Sequence, residues 1–181
     1  MHFSLLFKNP SLSPASLIFR QQLTRTMSSH ALLNKPAPRG LKLQNQDGKE
    51  VTLVDDFAGK SAVIYFYPKD ETSGCTAQAC AFRDNYEVFQ QHGAEVVGIS
   101  SDSVDSHKAF ASNRRLPFTL LADPKGEARK AFQVPNTLGL LPGRATYIIG
   151  PDGTVKGYFN SMTDIQGHIK ASLELIQKLK E

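Results

Sequence analysis

The apolar run Ala62-Val-Ile-Tyr-Phe-Tyr67 meets Pro68 and a polar turn, Lys69-Asp-Glu-Thr-Ser-Gly74, and a helix-forming stretch begins at Cys75 directly afterwards. Proline ends the strand because it brings no N–H to a ladder. A helix that starts here turns its unpaired N–H groups and positive dipole end toward whatever stands in its first turn. That residue is a cysteine. A free thiol has a pKa of about 8.5, and helix N-termini and cationic neighbours lower such values to roughly 3.5–7.5. The sulfur anion is favoured, and Cys75 is the candidate nucleophile.

Cys80 is the only other cysteine in the chain, five positions on. Five residues of helix rise about 7.5 Å and rotate about 140°, which separates the Cα atoms by roughly 8.6 Å. A disulfide tolerates at most about 7 Å, so the two sulfurs can cooperate but can bond only if the first turns unwind. The spacing is not Cys-x-x-Cys. Nor is it a zinc pattern, since there is no second cysteine pair and the five histidines do not cluster near it. Taken alone, the cysteines suit equally well the packing of a helix on a sheet. The spacing Pro68-x-x-x-Thr72-x-x-Cys75 tips the balance toward chemistry, because the Thr72 hydroxyl can donate to a sulfur anion or to an oxygen beside it.

The stretch Tyr65-Phe-Tyr-Pro-Lys-Asp-Glu-Thr-Ser-Gly-Cys-Thr-Ala-Gln-Ala-Cys-Ala-Phe-Arg-Asp84 resembles the active-site segment of the peroxiredoxins. It is most similar to the Q type, also called bacterioferritin comigratory protein, of the AhpC/TSA superfamily. Ser100-Ser-Asp-Ser-Val-Asp-Ser-His-Lys-Ala-Phe110, Leu116-Pro-Phe-Thr-Leu-Leu-Ala-Asp123 and Leu141-Pro-Gly-Arg-Ala-Thr-Tyr147 continue the likeness in order, so that it covers roughly residues 35 to 180. The resemblance implies that Cys75 is the peroxidatic cysteine, passing through a sulfenic acid. Cys80 is then the resolving one, and Thr72, Pro68 and Arg144 complete the peroxide site. Where the family usually has proline, this chain has Ser73, which loosens the turn without removing a reacting group.

The implied reaction is reduction of hydrogen peroxide or organic hydroperoxides, with an external dithiol such as thioredoxin resetting the disulfide and no cofactor or metal. Attack on an O–O bond needs ionised sulfur, a donor that aligns the peroxide, and charge stabilisation at the departing oxygen. Arg144 suits the last task because a guanidinium stays protonated and presents its donors in a fixed fork. Arg83 is placed to lie near the pair or to bind Asp84 or Glu87 at the surface. Resolution inside one helix requires no second subunit, so a monomer is expected. Two rivals stand beside this reading: a thioredoxin-like disulfide oxidoreductase, which the lack of Cys-x-x-Cys opposes, and a non-enzymatic redox sensor.

Net charge is +4, but Lys8, Arg20 and Arg25 carry three of these charges before Met27, and no acid occurs before Asp47. About +1 is left for the rest, which gives nucleic-acid binding no support. No apolar run nears the roughly 20 residues that span a bilayer. Residues 1–26, basic, serine-rich and without acids, read as an organelle transit peptide or leader. A mitochondrion is the favoured destination. A plastid is the alternative, on plant-like wording such as Leu141-Pro-Gly-Arg144, and a start at Met27 would give a cytosolic form. Two cysteines in a reducing compartment fit a catalytic pair better than a structural bridge.

Behind the leader, residues 35–180 form one domain. Leu41–Leu53 alternates around Asp47-Gly48 as a hairpin. Then come a strand at 62–67, a helix at 75–91, a strand at 95–100, a helix at 104–113, a strand at 118–122 and a short helix at 126–132. A hairpin at 145–149 and 154–158 turns on Pro151-Asp-Gly153, and an amphipathic helix spans 164–180. The order is that of an α/β thioredoxin-like fold, a central mixed sheet flanked by helices, with an N-terminal β-hairpin extension. Phe66 and Phe82 are candidates to wall the pocket. His107, His92 and His168 read as surface or capping histidines.

Overall fold

The computed structural model describes residues 30–137, 139 and 141–180; the expected leader at 1–26 lies outside them. The hairpin forms as expected: β1 (Leu41–Asn45) pairs antiparallel with β2 (Glu50–Leu53), Leu41 opposite Leu53. Gly48 supplies the positive φ of 75° that the turn needs. The Asn45 carboxamide accepts from the N–H groups of Asp47 and Lys49, both at 3.0 Å.

Three strands follow, β3 (Ser61–Phe66), β4 (Ala94–Ser100) and β5 (Thr119–Ala122), and they run parallel to one another. Between them and after them come α1 (Ser73–Asp84), α2 (Tyr86–Gln91), α3 (Val104–Arg114) and α4 (Glu127–Ala131). A two-stranded ribbon not foreseen in the sequence, β6 (Asn136–Thr137) with β7 (Leu141–Pro142), leads into β8 (Ala145–Ile149). β9 (Val155–Asn160) and α5 (Ile165–Lys180) complete the chain. The main sheet runs β2-β1-β5-β4-β3-β8-β9, with β8 and β9 antiparallel to their neighbours.

β3 lies at the heart of this mixed sheet and is buried along its whole length. Alternation sends Val63 and Tyr65 to one face with Phe82, Phe89, Phe110, Ile169 and Ile176, the layer of α1, α2, α3 and α5. Ile64 and Phe66 go to the other face with Ala128, Phe132 and Tyr147. Phe66 is thereby separated from Cys75, which packs in the first layer with Phe82. Of the two phenylalanines expected to wall a pocket, only Phe82 lies on the cysteine's side.

The single helix expected over 75–91 is two helices broken at Asn85, whose φ and ψ are −109° and 4°. Its side-chain amide donates to the Ala81 carbonyl at 2.9 Å. Asparagine competes for backbone groups in this way, which is why it interrupts helices.

Candidate active site

Thr72 is the N-cap of α1, so Cys75 stands in the first turn, as the sequence suggests. Packed under Phe82 and Ala79, it is 2% exposed. One guanidinium nitrogen of Arg144, on the strand entry before β8, donates to Cys75 Sγ at 3.3 Å. Another donates to Gln78 Oε1. Gln78 lies three residues after Cys75 on the same helix face, the spacing at which side chains meet. The i+3 position was the available signal for this residue, which the sequence reading missed. Arg144 Nε and Gln78 Nε2 are both buried and have no partner among the described residues.

Two glycines leave room at the site, one beside the guanidinium and one in the strand entry that carries it. A Cβ on Gly74 would lie 3.2 Å from the Arg144 guanidinium. One on Gly143 would sit 2.0 Å from the Pro135 carbonyl oxygen, so no larger residue fits beside that backbone. Arg129 then joins the two segments that carry the site. It donates to the Tyr67 carbonyl, just before Pro68, and to the Gly143 carbonyl, just before Arg144, both at 3.0 Å.

The other expected site residues are placed as follows. Pro68 ends β3 and is half-buried. Thr72 is exposed, and its hydroxyl donates at 3.1 Å to the Lys69 carbonyl rather than to Cys75. Cys80, half-buried and unbridged to Cys75, lies two turns along α1. Arg83 interacts with Cys80, pairs with Asp84 at 2.8 Å and donates to the Arg114 carbonyl at 2.7 Å. No cluster of metal-binding side chains occurs among the described residues, nor is any helix there long and apolar enough to cross a membrane.

Under the Pro68–Thr72 turn lies a buried network that the sequence reading did not anticipate. Asp70 accepts from Tyr67 Oη at 2.7 Å, Ser106 Oγ at 2.7 Å and His107 Nδ1 at 2.8 Å. Its own N–H donates to Asp102 at 2.8 Å. Burial pushes the Asp70 carboxyl up, but the hydrogen bonds from His107, Tyr67 and Ser106 outweigh that and hold it below its ordinary value. His107 is 0% exposed and its Nε2 meets the Leu121 carbonyl at 3.1 Å. The ring is thus held between a carboxylate on one nitrogen and a carbonyl on the other. It is no surface or capping residue. The reason is tertiary: α3 turns this face onto the loop that follows β3.

His168 is likewise buried. It bridges Thr146 Oγ1, at 2.7 Å, and the Ser161 carbonyl, at 2.8 Å. Burial lowers its pKa to about 4 from 6.5, with Arg144 adding to the effect. The fold therefore prefers the neutral ring, while the unfolded chain takes up a proton below pH 6.5. The stability this provides is complete above pH 6.5 and is lost as pH falls toward 4. The loss approaches about 3 kcal/mol at 1.4 kcal/mol per unit. Urea unfolding at pH 7 and pH 4.5 should show this drop in the wild type and a smaller one in His168→Gln.

A helix entry that delivers a buried cysteine to an arginine, on a sheet of this topology, defines a thioredoxin-fold thiol oxidoreductase. Residues 33–158 match the model of the AhpC/TSA family. The chain is 52% identical over 144 residues to "Peroxiredoxin Q, chloroplastic" of Sedum lineare, covering 79% of this chain and 77% of the relative. With the Gentiana triflora protein of the same name it shares 47% over 167 residues, 91% of this chain and 76% of that one. The solved structure of Xanthomonas campestris Peroxiredoxin Q superposes with a TM-score of 0.71 at 33% identity, covering 78% of this chain and 92% of the other. The chain belongs to the AhpC/TSA family and, within it, to the peroxiredoxins of the Q type.

Proposed function

We propose that the chain is a thiol peroxidase for hydrogen peroxide and organic hydroperoxides, with Cys75 peroxidatic, Cys80 resolving, and a thioredoxin-like dithiol as reductant. The observation that carries this reading is the Arg144 donor 3.3 Å from Cys75 Sγ at the entry of α1. The Cys75 thiolate attacks one peroxide oxygen; an S–O bond forms, the O–O bond breaks, and the departing alkoxide or hydroxide takes a proton. Arg144 meets the charge on the oxygens in transit, a charge-assisted donor held in place by Gln78. Thr72 exchanges the Lys69 carbonyl for a peroxide oxygen, and Pro68 shields the sulfur from the strand side. The unpartnered N–H groups of Arg144 and Gln78 are further donors for such a ligand.

Cys80 then attacks the Cys75 sulfenic acid. An S–S bond forms, the S–O bond breaks, and hydroxide leaves as water. Because both cysteines lie on α1, the step needs local unwinding and no second chain, and the working unit is a monomer. The resulting disulfide holds an unwound segment, which makes it accessible to an external dithiol.

Peroxide consumption with thioredoxin, its reductase and NADPH tests this. The expected result is turnover in the wild type and none in Cys75→Ser. Cys80→Ser should consume one equivalent and then stall. Peroxide turnover that survives Cys75→Ser would remove the assignment, and disulfide exchange without peroxide consumption would favour the oxidoreductase reading.

The acid-free, basic stretch 1–26 is proposed as a transit peptide. A plastid, in place of the mitochondrion, is the proposed destination, since both plant relatives carry the word chloroplastic in their names.

A further inference from the structure

We infer that Glu71 and Arg114 are positioning residues of the resolving step, a clasp that ties the α1 segment to α3 and sets how readily it unwinds. The inference rests on the proposed Cys75–Cys80 disulfide and adds its control. Glu71, just before the N-cap, accepts through Oε2 from two nitrogens of Arg114 and through Oε1 from Asn113 Nδ2 at 3.1 Å. Its φ of 58° is left-handed, which non-glycine residues rarely adopt, and these bonds help hold it there. At the other end of the segment, Arg83 donates to the backbone carbonyl of the same Arg114 at 2.7 Å. Arg114 is the last residue of α3, which is anchored in the interior by His107 and Phe110. The chain from residue 71 to residue 83, with both cysteines inside it, is thus fastened at both ends to one fixed point.

Unwinding the five steps from Cys75 to Cys80 lengthens the backbone by up to about 9 Å, from 1.5 Å per residue toward 3.3 Å. A segment pinned at both ends takes up this length only by bulging or by releasing an end. The Glu71 side is the one that yields, because its ion pair is exposed: both side chains are about 40% accessible, at 41% and 39%. Clasp opening competes with a second peroxide, whose O–O bond breaks as one oxygen passes to the Cys75 sulfenate, leaving the sulfinate and water from hydrogen peroxide or an alcohol from an organic hydroperoxide. The clasp therefore sets the partition between disulfide and overoxidation.

The experiment titrates reduced enzyme with hydrogen peroxide, measures the disulfide-to-sulfinate ratio by mass spectrometry, and follows amide exchange of α1 in the reduced protein. Glu71→Gln and Arg114→Ala should each raise the ratio and speed α1 exchange by about twofold to fivefold, the range of an exposed ion pair. The double variant should do no more than either single, since both cut one contact. Salt at 0.5 M should raise the wild-type ratio and leave the variants' ratio unchanged. Wild-type ratios and exchange rates in both variants, or additive effects in the double, would overturn the clasp. A wild type that forms no Cys75–Cys80 disulfide at all would instead sink the proposed pairing, and the clasp with it.

Discussion

Replacing Arg144 with leucine should slow the first step of peroxide reduction by about 10²–10³-fold, the usual cost of removing one donor aimed at developing charge. Three losses coincide. The sulfur loses its cationic donor, the oxygens in transit lose theirs, and the buried Gln78 carboxamide is left without the N–H it accepts. Arg144→Lys should recover only part of the rate, because an ammonium cannot reach Cys75 and Gln78 with the geometry of a planar fork. Stopped-flow measurement of one-turnover oxidation, with far-ultraviolet circular dichroism as a check on folding, reads the effect directly. A leucine variant within a few-fold of the wild type would show that the 3.3 Å contact is packing and not chemistry.

The largest effect on stability belongs to His107. Changing it to alanine leaves the Asp70 carboxylate buried without its strongest partner, and breaking a buried pair from one side costs about 3–5 kcal/mol. For a domain of this size that corresponds to a fall in Tm on the order of 10 °C. Because Asp70 lies between Pro68 and Thr72, activity should also fall, even at temperatures where the variant remains folded. The double variant Asp70→Asn/His107→Ala should be more stable than His107→Ala alone, since it removes the stranded charge together with its partner. Equal or lower stability in the double variant, measured by urea unfolding, would mean that His107 matters for its volume and not for the pair.

Local features of the chain were legible because they depend on neighbours in sequence. The run 62–67 announced a buried strand through its apolar content, Asp47-Gly48 announced a hairpin through turn chemistry, and Cys75 announced itself through its place after Pro68 and Thr72. The break at Asn85 was harder to see. Asparagine is tolerated in helices until its amide finds a carbonyl, and that contact depends on a local conformation the pattern does not encode.

His92 caps α2 as expected, but His107 and His168 were misread for a more general reason. A polar residue on an amphipathic helix looks the same whether it faces water or a carboxylate brought from elsewhere. Asp70 and His107 are 37 residues apart, and only the β3-β4-β5 crossover joins them. Gln78 and Arg144, 66 residues apart, meet for the same kind of reason, through the pairing of β8 with β3.

The sequence by itself determined that Cys75 would sit in the first turn of a helix, what kind of turn would precede it, and that a disulfide with Cys80 would require the helix to open, because spacing and backbone geometry are properties of a short stretch of chain. Only the tertiary structure decided which side chains surround that sulfur and which hold its turn in place. Those partners come from distant strands and helices, and which of them meet is settled by how the buried faces of one sheet are covered.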